Sequence, residues 1–354
     1  MEQVKKQRES GIELLRIIAM MGVVVLHYNN AAMGAAFSYV TAGSLNQGIL
    51  YFLETLCISG VNIYVLISGY FLYRSNNRSV RKIADLFIQV VLFNAAFYVM
   101  SIIMGVNTFT LKSCIFNLLP ANYFVVLYAV LYLVSPYVNL MLRQLNEETM
   151  QNWIYLAVAV FSIWSFVVDV MENAAGFDKI GLSPVGIYGS QEGYTIVNFL
   201  LAYMIGAYLN TSKFESGKVT QFRRVLRCAV LLGVVYAFAM VENHFGLASR
   251  TAWNYDNPLL LLLAAESFLL FREIHFMSRV INELAKGAFT CFLFHQPLLR
   301  FFGVQNVVNG NSLILIGHVI LVAVVMYLIS YVVYKIYSFV MNMIWNIVGK
   351  LGAK

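Results

Sequence analysis

An arginine and a histidine stand eleven residues apart in the apolar stretch GIELLRIIAMMGVVVLHYNN, residues 11–30. At 3.6 residues per turn that spacing returns Arg16 and His27 to nearly the same helix face, roughly 16 Å apart along the axis. One wall of such a helix carries a fixed cation at one end and a titratable base at the other. Ionisable groups inside a bilayer are costly, which makes the pair a candidate for chemistry. The structural alternative is a snorkelling Arg16 paired with Glu13 three residues earlier, with His27 at the opposite interface. A second cationic group follows in the short segment 74–82, RSNNRSVRK. Arg78 and Arg81, three residues apart at a helix start, would share a face and form a fork suited to phosphate, which guanidinium binds bidentately. An ordinary cluster of cytoplasmic positive charge explains the same residues.

The elements that must position these residues are membrane helices. Of 354 residues, 60% are hydrophobic and 12% charged, about half the charge of an ordinary soluble domain. Apolar runs of about 20 residues recur along the whole chain, each long enough for ~30 Å of hydrocarbon. The expected fold is an all-α integral membrane protein, one bundle of about ten transmembrane helices forming a single domain over residues 1–354. Hydropathy places them near 12–30, 48–73, 82–105, 119–142, 152–171, 194–211, 225–242, 257–272, 283–302 and 313–338. An even count returns both termini to one side. With both termini cytoplasmic, only Lys112, Lys179, Arg250 and Arg300 of the 24 Lys and Arg fall outside, and the rest, including Lys5, Lys6, Arg8, Lys213, Lys218, Lys350 and Lys354, fall inside. This asymmetry sets the orientation and accounts for the net charge of +7 without nucleic-acid binding. It puts Arg16 near the cytoplasmic mouth of the first helix and His27 near the outer face.

The remaining features give fewer functional signals. Cys57, Cys114, Cys228 and Cys291 are scattered, with no metal spacing and no disulfide framework. The N-terminal apolar segment has full spanning length, so an uncleaved first helix is expected rather than a signal peptide. Tyrosines 123, 128, 132 and 137 and Pro136 read as packing, belt and kink. Asp85 and Gln89, one turn apart, read as an interhelical contact. His244 and His275 fall near loops, His318 near the outer start of the last helix, and His295 in the outer half of the ninth. The outer loop 172–193 is long, polar and glycine-rich, the kind of segment that often carries function, whereas the inner segment 212–224 reads as a solvated connector. There is no Walker loop, G-x-S-x-G elbow or H-E-x-x-H, and no soluble catalytic domain is expected beyond the last apolar run.

Taken together, the motifs resemble the membrane acyltransferase family 3, bacterial integral-membrane enzymes that O-acylate surface polysaccharides and related acceptors. GIELLRIIAMMGVVVLH resembles the family's opening helix, with its arginine and histidine at Arg16 and His27. GVNIYVLISGYFLYR resembles the second-helix signature ending in Ser68, Gly69 and Tyr70, and Arg78-Ser-Val-Arg81 matches its R-x-x-R element. NYFVVLYAVLYLVSP and GAFTCFLFHQP resemble later segments. The proline that often follows R-x-x-R is missing, and Asn122-Tyr123 stands where a tryptophan is common.

The resemblance implies acyl-CoA as co-substrate, most simply acetyl-CoA, approaching from the cytoplasm, and a hydroxyl acceptor on the outside. Arg78 and Arg81, supported by Lys82, would hold the phosphates of coenzyme A, and Arg16 would meet the phosphate or pantetheine region. Neutral His27 would accept the acceptor's proton as general base. Glu54 is the acid considered first as the group that orients it. The expected partners are a surface glycan or lipid-linked sugar and membrane lipid; a homo-oligomer stays open, and no metal or nucleic acid is expected. The rival reading is a transporter of a small solute such as an amino acid, since related membrane modules occur fused to amino-acid racemases. Against it stand the lack of internal repeats and of short broken helices in matching positions. A third reading, a structural or sensory membrane protein, assigns no turnover to these residues.

Overall fold

The computed structural model describes residues 9–211 and 220–351, with side chains through residue 347. Lys5, Lys6, Arg8, Lys213, Lys218, Lys354, the side chain of Lys350 and most of the connector 212–224 lie outside the described residues. Among the described residues every regular element is helical and no strand occurs. Seven helices are long and apolar enough to cross a membrane: Ser10–Asn29, Leu45–Leu72, Val80–Ile103, Tyr123–Gln144, Glu147–Ala175, Gln221–His244 and Ser312–Ile347.

The other three expected spans are built differently. Ile196–Tyr208 has 13 residues and Pro258–Arg272 has 15, about 20 and 22 Å at 1.5 Å per residue. The segment expected as a ninth span is broken into Arg279–Leu284, a 3-10 turn Ala285–Gly287, Ala288–Phe294 and a 3-10 stretch Gln296–Phe302. Pro297, at the start of that last stretch, has no N–H to carry the α-helix onward. Length and composition alone therefore qualify seven of the ten.

The chain divides into two compact units, Met1–Cys57 with Phe271–Lys354, and Ile58–Leu270. In the first unit the helix Ser10–Asn29 is the central element, packed against Leu45–Cys57, Arg279–Leu284, Ala288–Phe294 and the last helix. Fifteen of its twenty residues are buried, so protein covers most of its surface, and Ile18 is its exposed apolar residue. Its start is fixed by Ser10, whose backbone N–H donates to Phe276 O and whose hydroxyl donates to Asn282 Oδ1 at 2.9 Å. Gly11 allows that approach: a Cβ there would lie 2.4 Å from Phe271 O and 2.5 Å from Ile274 O. At the other end Asn46 Nδ2 donates to Val308 O and Gly310 O, both at 2.9 Å, and ties the helix Leu45–Cys57 to the segment before Ser312.

The second unit is organised around a close crossing of Gly60–Leu72 with Ile196–Tyr208. Gly69 and Gly206 face each other's helix, and a Cβ on either would come within 2.1 Å of Tyr203 O or Leu66 O. Small residues let two membrane helices pack backbone to backbone, where dispersion has to replace the hydrophobic effect. By contrast Gln221–His244 buries only Arg224, Val235, Ala239 and Glu242, as expected of a helix facing lipid over most of its surface.

Candidate active site

Within the first unit the last turn of the helix Ser10–Asn29 brings His27 against His295. Their rings lie 4.7 Å apart with planes 15° from parallel, and His27 Nδ1 is hydrogen-bonded to His295 Nε2. His295 has no exposed surface and follows directly on the helix Ala288–Phe294. Its Nδ1 lies 2.6 Å from the carbonyl oxygen of Cys291, one turn earlier.

That carbonyl decides the tautomers of both rings. A carbonyl oxygen only accepts, so His295 Nδ1 carries the hydrogen, and in a neutral imidazole Nε2 is then the acceptor. His27 Nδ1 must donate to it, which leaves the lone pair of His27 on Nε2. The chain Cys291 C=O, His295, His27 thus presents an imidazole poised to take a proton at a defined atom. When it does, the imidazolium keeps a donor aimed at His295 Nε2, and the bond becomes charge-assisted.

Glu54 lies one step aside from this chain. Asn29 Nδ2 donates to Glu54 Oε2 at 2.7 Å and to Leu50 O at 3.4 Å, so Glu54 fixes the residue two positions after His27. The hydrogen bond at His27 Nδ1 is made by His295. Beside them Tyr28 O–H and His318 Nδ1 form a tyrosine–histidine hydrogen bond at 2.9 Å. Toward the start of the helix Arg16 Nη1 donates to both carboxylate oxygens of Glu13 at 3.1 Å, the i,i+3 pair open to it in sequence.

In the second unit the basic segment is sorted by its neighbours. Arg78 turns into the helix Tyr123–Gln144: Nε donates to Ser135 Oγ at 2.8 Å and Tyr132 O at 3.2 Å, and Nη1 to Ser75 O and Asn77 O at 3.0 Å. Its Nη2 is buried without a hydrogen-bond partner among the described residues. Lys82 joins it over the ring of Tyr132, at 5.1 Å from the centroid against 5.2 Å for the Arg78 guanidinium. Arg81 is instead largely exposed and lies 3.9 Å from Asp85 Oδ2. Arg78 and Lys82 are therefore brought together on one aromatic ring, while Arg81 is exposed with an acid beside it.

Residues 9–335, nearly the whole chain, match the family model of the acyltransferase 3 family, described as an acyltransferase domain. The chain belongs to the acyltransferase 3 family. No curated protein and no solved structure matches it. With the seven apolar helices, membership makes it a multi-pass membrane protein carrying an acyltransferase domain that runs through both compact units. The histidine pair offers one nitrogen with a free lone pair, Nε2 of His27, as a proton acceptor. His295 carried no assigned role in the sequence. The signal that could have found it was depth: by hydropathy both histidines fall in the outer halves of their segments.

Proposed function

We propose that this acyltransferase 3 protein moves an acyl group, most simply acetyl, from cytoplasmic acyl-CoA to a hydroxyl of an extracytoplasmic glycan or lipid-linked sugar in the cell envelope. The reading is carried by the hydrogen-bonded chain from Cys291 through His295 to His27, which leaves Nε2 of His27 as the acceptor. In it His27 takes the hydroxyl proton as the oxygen attacks the thioester carbonyl, and the thiolate of CoA leaves with a proton returned from the imidazolium. His295 holds the ring and receives the hydrogen bond of the charged form. Glu54 acts through Asn29, keeping the end of the first helix in register.

The donor would be held by cations. Arg78 keeps both N–H of its buried Nη2 without a hydrogen-bond partner among the described residues, with Lys82 beside it and Arg81 exposed nearby, a set suited to the phosphates of coenzyme A. Arg16 would meet the phosphate or pantetheine part as it rises along the first helix. The topology that serves this has ten crossings, the short and broken segments included, with both termini cytoplasmic and His27 toward the outside. The protein sits in the cell membrane.

Purified protein in detergent, given acetyl-CoA and a hydroxyl acceptor, is expected to release free CoA, and His27→Ala to abolish the release while the protein stays folded and monodisperse. Undiminished transfer in His27→Ala would remove the base assignment. Surface glycan from cells with and without the intact gene product should differ by one acyl mass per modified unit.

A further inference from the structure

The second unit contains a cavity that the acyl-transfer chemistry does not use. It measures about 480 Å³, within the roughly 300–1,000 Å³ typical of small-molecule sites. It opens among the end of the helix Glu147–Ala175, the loop 176–195 and the segment 249–254. Its floor is polar and buried: Asp169, Thr251 and Asn254 are each less than one-tenth exposed. Its rim is aromatic, with Tyr188 67% and Tyr194 41% exposed, too open for ordinary core packing.

The lining restricts what can enter. Asp169, Glu172 and Glu192 supply three carboxylates against the single ammonium of Lys179. That ammonium is already engaged, 2.7 Å from Glu172 Oε2 and 3.6 Å from Asp169 Oδ1. A phosphate or carboxylate ligand therefore meets a wall of net negative charge with its one cation occupied, and coenzyme A, a polyanion, is excluded. An apolar ligand would strip water from the carboxylates and from Asn254 without replacing their hydrogen bonds. Among the described residues no cluster of His, Cys, Asp and Glu fits a metal ion.

A neutral sugar ring satisfies every part of this surface. Its hydroxyls donate to carboxylates and to the oxygens of Ser249 and Thr251, whose own hydrogens go to Asn173 and Glu242, and accept from the Gln191 amide and the Asn254 N–H that is not given to Asp169. Its C–H faces lie against tyrosine rings, whose apolar bodies and polar tips suit a half-wet ligand. The rim is held in a fixed shape: Gln191 and Glu192 both take φ +55°, a left-handed backbone that non-glycine residues adopt at a cost, and Tyr255 N–H donates to Glu192 O at 2.8 Å. Behind it Ser190 is bonded to Asp169 and to Asp256 Oδ1.

We infer that this cavity, formed by Asp169, Glu192, Asn254 and the exposed rings of Tyr188 and Tyr194, binds a neutral sugar residue of the acceptor glycan. The inference rests on the proposed transfer to an extracytoplasmic glycan, and it puts recognition of the acceptor in the second unit. The test is saturation-transfer NMR on the full-length protein in detergent. The probes are neutral trisaccharides of glucose, galactose and N-acetylglucosamine, with glucose 6-phosphate and acetyl-CoA as anionic counter-probes. At least one neutral trisaccharide should receive saturation on its ring protons and displace neither anion from the rest of the protein. Tyr188→Ala should weaken that sugar at least about fivefold, as expected for loss of one stacking face, with the melting temperature unchanged. Glu192→Gln, which keeps the size of the side chain, should weaken it as well.

Absence of binding by all three neutral sugars, a preference for glucose 6-phosphate, or equal affinity in Tyr188→Ala and Glu192→Gln would overturn the inference. Repeating the measurement on His27→Ala protein separates the two readings. Sugar binding without any acyl transfer by the wild type leaves this site standing and removes the transfer reading. Transfer without sugar binding removes this site alone.

Discussion

Replacing His295 by alanine tests the imidazole pair directly. The substitution removes the acceptor for His27 Nδ1–H, while the Cys291 carbonyl keeps the backbone N–H of residue 295 at 3.1 Å. Structural loss is thus confined to the void left by one buried ring, and the chemical loss falls on the charged form of His27. A hydrogen bond to a charged group is worth about 1.5–3 kcal/mol. If it forms fully in the transition state, its removal should lower kcat by about 10- to 150-fold. KM for acyl-CoA should not move, because the lost interaction strengthens only as the proton is transferred. The assay is steady-state CoA release by purified protein, with melting temperature followed in parallel. His295→Gln is the second arm: its side-chain oxygen can stand where Nε2 stood and accept from His27 Nδ1, so it should recover most of the loss seen in alanine. A His295→Ala protein that is stable and turns over at the wild-type rate would refute the argument. So would a glutamine variant that folds well and is as slow as alanine.

Four further outcomes follow from the same geometry. Glu54→Gln should keep at least a third of the activity, because a glutamine carbonyl still accepts from Asn29 Nδ2, whereas Glu54→Ala leaves that buried donor unpaired at a cost of about 1–3 kcal/mol, read as a lower denaturation midpoint. Arg81→Gln should raise KM for acyl-CoA about three- to tenfold in low salt and less in high salt, with kcat unchanged, as titration of rate against acyl-CoA would report. Gly206→Ala should destabilise the second unit by about 1–3 kcal/mol or more, visible as loss of monodisperse protein in size-exclusion chromatography, since its Cβ would press on Leu66 O. Asp256, in the loop before Pro258, is pushed up to about 7 first by burial and then by the nearby charges of Asp169 and Glu192, against the opposing Ser190 hydrogen bond. An acid whose folded pKa is raised favours the fold most below its unfolded value near 4, and this contribution is lost as pH rises through about 7. Melting temperature should therefore fall between pH 5 and pH 8, and Asp256→Asn should flatten that fall.

The parts of this protein that are legible in sequence are those written in local chemistry. The apolar period of residues 10–29 gives the first helix its ends to within two residues, and Glu13 before Arg16 gives the ion pair that forms. Hydropathy does not see where a run breaks. Residues 283–302 read as one span because their length and mostly apolar content suit one, yet the 3-10 turn Ala285–Gly287 and the 3-10 stretch that begins beside Pro297 divide it, and His295 stands at the second break, against His27. The partner of a histidine 268 positions away leaves no mark in periodicity. Arg78 and Arg81 likewise share a motif but not a neighbourhood, since Tyr132 and Ser135 capture one and Asp85 the other. The glycines at 69 and 206 carry no chemical signal in sequence, and only the backbone crossing explains them.

The choice of partner for His27 follows from its surroundings. In water-accessible enzymes a carboxylate commonly orients a catalytic imidazole, because its charge supports the imidazolium and water supports its charge. Within a helix that buries fifteen of its twenty residues, a resting carboxylate at that place would be an uncompensated anion through most of the cycle, and burying a lone charge costs several kcal/mol. A second imidazole avoids this. In the proposed reaction one backbone carbonyl sets the tautomers, and the lone pair of His295 meets a positive charge only when His27 takes the proton. The same arrangement makes a testable distinction. Supplying a carboxylate through His295→Glu, which has the reach of glutamine, should not improve on it, because what the acid adds to the transition state it first imposes on the resting protein, and it should lower the melting temperature where His295→Gln does not. A glutamate variant faster than wild type and equally stable would show that charge, rather than a neutral acceptor, is what this position lacks.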